Sequence, residues 1–347
     1  MRRRALVLLA TVAAATVLSA GAALLVASPK SVEAADPPAL VAQSAEMDAS
    51  AQLRQAVSVE GLMAHERRLQ DIANANGGTR YVGTPGYAAS VDYVANQLRA
   101  AGYNVTVQSF QVQLPSGATR TTSNVIAETA TGDPAHTIVV GAHLDSKKTP
   151  GINDNGSGVA SVLEIARQMS KLGIRPVNRV RFAFWGAEEP SPYMLGSKYY
   201  VNHLSPQQLD SIEMYLNFDS LASTNYVRFV YDGDNLQNPS PPGSGQIEKV
   251  FTDYYAAVGL PTKPHLKTSS DLAPFMEAGI PAGWLFTGTN KLKTAQEAAV
   301  YGGTAGKPYD PCYHQPCDTL NNVSTTALDQ TSDGAAHATL TLANRAY

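Results

Sequence analysis

A short apolar segment followed by a glycine-rich loop constrains the fold of this chain more than any other part of the sequence. Residues 137–142 are rich in β-branched side chains, which is typical of a buried strand. The loop over residues 143–158 carries His143, Asp145 and Asp154, and residues 159–169 then have apolar side chains at helical spacing. In an open α/β sheet, ligands bind at this edge, outside the carboxyl ends of the strands.

The side chains of this loop suit a zinc-type ion. Histidine nitrogen and carboxylate oxygen, without cysteine, are ligands that such an ion accepts in proteins. Aspartate, asparagine and glycine are also ordinary turn residues, so the loop alone does not decide between a metal site and a turn.

Strands alternate with helices along the rest of the chain. We predict strands over residues 105–112, 123–128, 137–142, 179–185, 214–218, 226–231 and 281–286, and helices over 59–74, 87–101, 159–169, 195–203, 246–258, 270–278 and 325–344. This alternation predicts an α/β fold with a mixed, largely parallel central sheet flanked by helices. The sequence contains no visible internal repeat, and the pattern does not break after residue 57, so we predict a single domain over residues 57–347.

The N-terminal residues are typical of a targeting segment. Arg2, Arg3 and Arg4 precede an apolar stretch over residues 5–26, and a small-residue cleavage site follows at residues 32–34. We therefore predict a cleaved signal peptide over residues 1–35 and an extracellular protein without a membrane anchor. An uncleaved anchor is the competing interpretation, because the stretch is long enough to span a bilayer. Residues 36–56, which lack periodicity, are predicted to be a linker or propeptide.

The charge of the chain argues against one class of partner. The formal net charge is −3, and no basic stripe occurs away from the N-terminus. Because nucleic-acid binding depends on a basic surface, we expect no nucleic-acid partner.

Three further places offer metal-ligand side chains: two follow predicted strands, and the third lies between the two cysteines. Glu188 and Glu189 follow the fourth predicted strand, Asp219 follows the fifth, and His314 lies between the two cysteines. Each of them alone has an ordinary explanation as an exposed residue, a solvated turn or a cap. Together with the histidine and aspartate of the glycine-rich loop, they would require several independent coincidences. We therefore predict that these side chains converge on one site.

The chain has two cysteines, Cys312 and Cys317. In a chain predicted to be secreted, an isolated close pair is most simply a small disulfide loop. A metal site built on cysteine would require more thiols or a tighter spacing.

Six motifs occur in order along the chain: G-A-H-L-D-S, G-I-N-D-N-G-S-G, F-W-G-A-E-E, G-S-K-Y-Y-V, L-N-F-D and C-Y-H-Q-P-C-D. As an ordered set they resemble the M28 family of co-catalytic zinc aminopeptidases, including its secreted streptomycete members. The resemblance extends over about residues 64–337. It implies the zinc-dependent exopeptidase fold and metalloaminopeptidase activity.

The resemblance also implies a ligand set for two Zn²⁺ ions per chain. Asp154 would bridge the ions. His143 and Asp219 would complete one site, and Glu189 and His314 would complete the other.

Further roles follow from the same resemblance. Glu188 would be the general base that acts on the water between the metals, and Tyr313 would stabilise the oxyanion. Asp145 would orient the imidazole of the nearby histidine ligand, and the peptide bond between residues 154 and 155 would be cis. The residues alone do not decide which member of the adjacent glutamate pair is the base.

The chain departs from the family pattern near the expected substrate pocket. Residues 190–194 form a two-proline segment that is two residues longer than in the secreted relatives. Ser220 stands where close relatives have methionine, and Ser269 and Leu272 stand where they have arginine and histidine. Phe286 remains as a candidate apolar wall of the pocket, and a plain core aromatic is an equal alternative.

The family also suggests a calcium site. Asp329 and Asp333 match a pair that helps to bind Ca²⁺ in the streptomycete relatives, but the third acidic residue is replaced. An exposed helix face explains the pair equally well. We therefore expect that the chain does not bind calcium.

These expectations combine into one functional hypothesis with two alternatives. The hypothesis is a monomeric secreted aminopeptidase that acts on the N-termini of peptides or proteins and prefers a large apolar first residue. The alternatives are a glutaminyl cyclase-like acyltransferase with one zinc ion, and a non-catalytic relative on the same fold.

Overall fold

The structure is a computed structural model and describes residues 47, 49–237, 239–266 and 269–347. The predicted signal peptide and the first part of the predicted linker lie outside the described residues. Within the described ranges, no helix is both long enough and apolar enough to cross a membrane.

One eight-stranded sheet organises the chain. Its strands are β1 Asn104–Gln113, β2 Thr119–Glu128, β3 Asp133–His143, β4 Asn178–Trp185, β5 Ile212–Phe218, β6 Phe229–Tyr231, β7 Lys263–His265 and β8 Ala282–Phe286. Their spatial order is β1-β2-β4-β3-β5-β8-β6-β7. The central strands β4, β3, β5 and β8 are parallel, whereas β2 pairs antiparallel with β4 and β6 pairs antiparallel with β8. This topology confirms the predicted mixed, largely parallel sheet in a single α/β domain.

Helices cover both faces of the sheet. They are α1 49–56, α2 Val59–Ala75, α3 Pro85–Ala100, α4 Ser157–Lys171, α5 Leu195–Asn202, α6 Pro206–Asp210, α7 Ser244–Ala257, α8 Leu272–Glu277, α9 Ala295–Tyr301 and α10 Thr325–Ala343. A π-helical turn, Ile152–Gly156, precedes α4, and a 3₁₀ turn, Leu320–Asn322, precedes α10.

Strand β3 is buried on both faces, and this explains its continuous apolar sequence. Ile138 and Val140 pack into the larger hydrophobic cluster with side chains of α2, α3, α4 and α10. Val139 packs on the opposite face, in the cluster that contains side chains of α5 and α8. Successive side chains of a strand point to opposite faces, so a strand covered on both sides needs apolar residues throughout. The register places the last residue, His143, at the carboxyl edge.

The N-terminal boundary of the folded domain lies earlier than the sequence predicts. Residues 49–56 form α1 instead of a loose linker. Leu53 is completely buried in the larger cluster, and Ser50 Oγ lies 2.8 Å from His337 Nδ1 on α10. Because a helix this short contributes few side chains to the core, it leaves no periodic signal in the sequence. The short elements β7 and α9 were not predicted for the same reason, and β6 is shorter than its predicted range.

Candidate metal centre

The carboxyl edge of the parallel strands gathers the reactive side chains. β3 ends at a histidine, the turn after β4 carries two glutamates, and β5 is followed by an aspartate. The structure brings together all the predicted metal ligands and the predicted base, which are His143, Asp154, Glu188, Glu189, Asp219 and His314.

The predicted ligands form two groups of three that share Asp154. His143 Nε2 lies 3.2 Å from Asp154 Oδ1 and 3.4 Å from Asp219 Oδ1. His314 Nε2 lies 3.0 Å from Asp154 Oδ2 and 3.2 Å from Glu189 Oε1. Each oxygen of the shared carboxylate therefore faces a different group, as a carboxylate that bridges two ions would.

Unsatisfied buried oxygens indicate that this arrangement needs cations. Among the described residues, Asp154 Oδ2 and Glu189 Oε1 are buried and have no hydrogen-bond partner. A buried carboxylate oxygen without a partner is costly in free energy. Imidazole nitrogens and carboxylate oxygens are ligands that zinc accepts. The residues present therefore fit two zinc-type ions, one in each group of three.

The first histidine is prepared to act as a ligand. His143 Nδ1 lies 3.0 Å from the backbone carbonyl oxygen of Asp145. A proton on Nδ1 donates to this oxygen, which leaves the lone pair of Nε2 directed towards Asp154 and Asp219. The imidazole is thus held in the tautomer and orientation that metal binding requires.

The site carries a large excess of negative charge, and the pKa values reflect it. Burial alone would lower the pKa of His143, but the charge of Asp219 and hydrogen bonding with Asp154 raise it well above its ordinary value. Burial would raise the pKa of Asp154, but the nearby imidazoles of His143 and His314 hold it below its ordinary value. Burial and the charge of Glu189 raise the pKa of Glu188 well above its ordinary value, against the opposing effect of His143. Positive charge is the component that this cluster lacks.

Asp145 contacts both the predicted histidine ligand and the glutamate turn. Its carboxylate lies 3.8 Å from His143 Nδ1, beyond hydrogen-bond distance. The same carboxylate accepts hydrogen bonds from the backbone N–H groups of Glu188, at 3.0 Å, and Glu189, at 3.2 Å. Asp145 therefore orients the histidine with its carbonyl oxygen, and it holds the glutamate turn with its side chain.

We expect Asp145→Asn to reduce activity or zinc affinity by about 10- to 100-fold, the usual cost of removing a partner that orients a ligand. The amide group replaces one acceptor oxygen with a donor that faces a backbone N–H, so the turn carrying Glu188 and Glu189 should reorient. Zinc titration and steady-state kinetics measure the effect. Asp92→Asn, at an exposed position on α3, is the matched control. Unchanged zinc affinity and turnover in Asp145→Asn would contradict this role.

Buried polar residues hold the loop that carries the bridging aspartate. The carboxylate of Asp318 accepts hydrogen bonds from the backbone N–H groups of Asn153, at 2.8 Å, and Asp154, at 3.1 Å. The guanidinium of Arg80, fully buried, donates to the carbonyl oxygen of Gly151 at 2.6 Å. The peptide bond between residues 154 and 155 is cis, as the resemblance implies. The loop position is thus determined by residues far away in the sequence.

A cavity of about 240 Å³ opens beside the ligands. The predicted residues Ser220, Phe286 and Tyr313 all line it. Trp284, which was not predicted, also lines it and stacks on Phe286 with ring centroids 4.3 Å apart. The period of two along β8 is the signal that could have found Trp284, because residues 284 and 286 face the same side of the sheet.

Two serines contact Asp219, one of the predicted ligands. Ser270 Oγ donates to Asp219 Oδ2 at 2.7 Å, and Ser220 Oγ donates to Asp219 Oδ1 at 3.2 Å. Ser269, by contrast, lines the cavity. No pattern in the sequence points to the role of Ser270, since it reaches Asp219 only through the packing of α8 beside β5.

The disulfide loop presents two of the predicted residues. The predicted bond between Cys312 and Cys317 is confirmed. Within this loop His314 adopts a left-handed backbone conformation, which few residues other than glycine adopt. The ring of Tyr313 stacks on the imidazole of His314 with centroids 3.8 Å apart. The loop thus places a metal ligand and a phenol side by side at the cavity.

The surroundings of the predicted calcium pair, Asp329 and Asp333, differ from those of the metal centre. Asp329 and Asp333 lie on α10, and burial together with the charge of Asp329 raises the pKa of Asp333 to about 6, while Arg54 opposes this shift. Among the described residues, the groups of three or more side chains placed to hold a metal ion do not include this pair. The guanidinium of Arg54 on α1 supplies positive charge near Asp333.

Comparisons with known proteins identify the family of the chain. A profile of Peptidase family M28 matches residues 124–339. Leupeptin-inactivating enzyme 1 of Streptomyces exfoliatus is 45% identical over 309 residues, which cover 88% of this chain and 66% of that protein. An aminopeptidase of Pseudomonas aeruginosa strain UCBPP-PA14 is 47% identical over 222 residues, which cover 63% of this chain and 41% of that protein. The chain thus spans less than two thirds of the length of these relatives.

Solved structures share the fold at low sequence identity. The aminopeptidase from Aneurinibacillus sp. strain AM-1 has a TM-score of 0.67 at 19% identity, covering 83% of this chain and 95% of that chain. A glutaminyl cyclase of Porphyromonas gingivalis has a TM-score of 0.63 at 19% identity, covering 81% of this chain and 97% of that chain. At such identities the likeness establishes the fold alone. The profile match, together with the similarity to the Streptomyces protein over 88% of this chain, establishes more: the chain belongs to peptidase family M28.

Proposed function

We propose that this chain is a secreted, monomeric aminopeptidase that uses two zinc ions to remove large apolar residues from the N-termini of peptides and proteins. The observation that carries the proposal is the pair of ligand groups sharing Asp154, one oxygen to each group. The relative from Pseudomonas aeruginosa, named an aminopeptidase, supports the activity. Secretion follows from the N-terminal sequence, residues 1–35.

The geometry suggests which residues would hold each of the two ions. His143 and Asp219 would hold one ion with Asp154, and Glu189 and His314 would hold the other. When bound, the two zinc ions would supply Lewis acidity to the scissile carbonyl and would lower the pKa of a bound water.

Glu188 is the general base in this proposal. It lines the cavity but belongs to neither group that contains Asp154. Its carboxylate takes a proton from the attacking water and transfers it to the leaving amine nitrogen. Burial raises the pKa of Glu188, and a base works best when its pKa approaches the working pH.

Tyr313 is the oxyanion donor. It lines the same cavity, and burial and the charge of Asp154 raise the pKa of its phenol. The hydroxyl therefore remains protonated at neutral pH and donates a hydrogen bond to the oxygen on which negative charge develops.

The aromatic wall of the cavity supports a preference for a large apolar first residue. Trp284 and Phe286 offer an apolar surface next to the ligands, and burying a side chain of leucine size against such a surface contributes roughly 1.5–3 kcal/mol. Lys291, an exposed residue, also lines the cavity and would instead favour an acidic first residue if its charge decided the preference.

The proposal is tested with leucine, arginine and glutamate p-nitroanilides on the mature protein, before and after chelation. We expect preferential hydrolysis of the leucine substrate, loss of activity on chelation, and recovery with about two zinc equivalents per chain. Preference for the glutamate substrate would contradict the apolar pocket and implicate Lys291. Failure to hydrolyse any of the three by zinc-loaded protein would contradict the activity.

A glutaminyl cyclase-like transferase remains the alternative to be tested, since the fold alone does not separate the two activities. Cyclisation of N-terminal glutamine with one zinc ion per chain would favour it. The two ligand groups that share Asp154 favour two ions. A non-catalytic protein is not favoured, because each predicted ligand is present at the site.

A further inference from the structure

A second cleft opens on the outer side of the metal centre. Its volume is about 510 Å³, within the range of roughly 300–1,000 Å³ typical of ligand pockets. Its walls include Tyr81, Lys148 and Tyr193. Glu189 and His314, the ligands of the second group, line both this outer cleft and the site cavity. The two cavities therefore meet at the place where a scissile bond would be held.

The outer cleft carries positive charge. Glu189 is the only carboxylate that lines it, and Lys147 Nζ lies 2.9 Å from Glu189 Oε2. Lys148 is exposed, with its ammonium 5.8 Å from the ring centroid of Tyr81, and the described part of the chain contains no carboxylate within ion-pair distance of it. The positive charge of Lys148 is thus left for a ligand, whereas four carboxylates line the site cavity.

Apolar surface accompanies this charge. Tyr193 is 48% exposed, and its ring lies 4.9 Å from the ammonium of Lys147. Lys147 therefore connects the ligand Glu189 to the wall formed by the segment of residues 190–194. A side chain that enters the cleft can pack on Tyr193 while it reaches Lys148.

The two cavities together have room for both sides of a scissile bond. A peptide whose scissile bond lies at Glu189 and His314 can place its first residue in the site cavity and its following residues in the outer cleft, because both residues line the two cavities. We infer that the outer cleft binds the residues after the scissile bond, and that Lys148 selects peptides with a carboxylate there. The carboxylate is an acidic side chain at the second or third position, or the terminus of a short peptide. This inference rests on the proposed aminopeptidase function.

The test compares kcat/KM for Leu-Glu-amide, Leu-Gln-amide and Leu-Lys-amide. The zinc-loaded protein should favour the glutamate substrate over the glutamine substrate by roughly three- to tenfold at low salt. The ratio should decrease at about 0.5 M salt, because screening weakens exposed charge pairs. Leu-Ala-Ala, compared with its amide, reports separately on the terminal carboxylate as the source of the charge.

Charge reversal assigns the effect to one residue. Lys148→Glu should reverse the order, so that Leu-Lys-amide becomes better than Leu-Glu-amide. Lys171→Glu is the matched control, because Lys171 is exposed at the end of α4, at the opposite edge of the sheet, and should keep the wild-type order. Equal kcat/KM values for the three amides in wild-type protein, or an unchanged order in Lys148→Glu, would overturn the inference while leaving the proposed function intact. Absence of hydrolysis of these peptides and of leucine p-nitroanilide would overturn both.

Discussion

Glu188→Gln is expected to lower kcat by about 10²- to 10⁴-fold while the protein keeps its two zinc ions. Glutamine has the size of glutamate but cannot accept the proton of the attacking water. Because Glu188 belongs to neither ligand group that shares Asp154, its replacement should leave the ligands in place. The expected signature is therefore a metal-loaded protein that binds substrate and scarcely turns it over.

Steady-state kinetics and elemental analysis of the same preparation measure this result. Glu277→Gln, an exposed glutamate at the end of α8, is the control with the same chemical change. Turnover near the wild-type value would contradict the assignment of the base. A loss of zinc parallel to the loss of rate would instead make Glu188 a ligand, since its carboxylate also lies near the imidazole of His143 and the carboxylate of Glu189.

Asp154→Asn is expected to have the largest effect on metal binding, because one side chain serves both ligand groups. Asp154 Oδ1 faces His143 and Asp154 Oδ2 faces His314, at 3.2 Å and 3.0 Å respectively. The amide nitrogen of asparagine cannot serve as a ligand, and the bridging charge is lost. We expect the affinity for both ions to decrease by more than the 10- to 100-fold that is typical when only a ligand's partner is removed.

Zinc content after equilibrium dialysis against a graded chelator measures the two affinities. Asp219→Asn and Glu189→Gln are the matched controls, because each alters one ligand group and should weaken one ion more than the other. Asp154→Asn should weaken both. Selective loss of a single ion in Asp154→Asn would contradict the bridging role, and retention of both ions at wild-type affinity would contradict the ligand assignment.

The pattern of side chains along the chain was enough to predict the fold class and the convergence of the candidate ligands. Burial on both faces makes β3 continuously apolar, so the strand and the position of His143 at its end are visible without a structure. Asp219 and Glu188 follow other central strands in the same way. Because carboxyl ends of parallel strands meet at one edge, convergence followed from local pattern and topology.

Packing between distant segments determined the contacts that the sequence pattern does not predict. The carboxylate of Asp145 holds the glutamate turn, and the carbonyl oxygen of the same residue orients His143. The sequence shows that an aspartate follows the histidine, but it does not show which of these two groups contacts the imidazole. Leu53 joins the core from a helix too short to show periodicity. Lys147 reaches Glu189 across 42 positions. Hydrophobic periodicity indicates which face of a helix or strand is buried. It does not indicate which polar atoms of distant segments come into contact, because those contacts form only when the elements pack together.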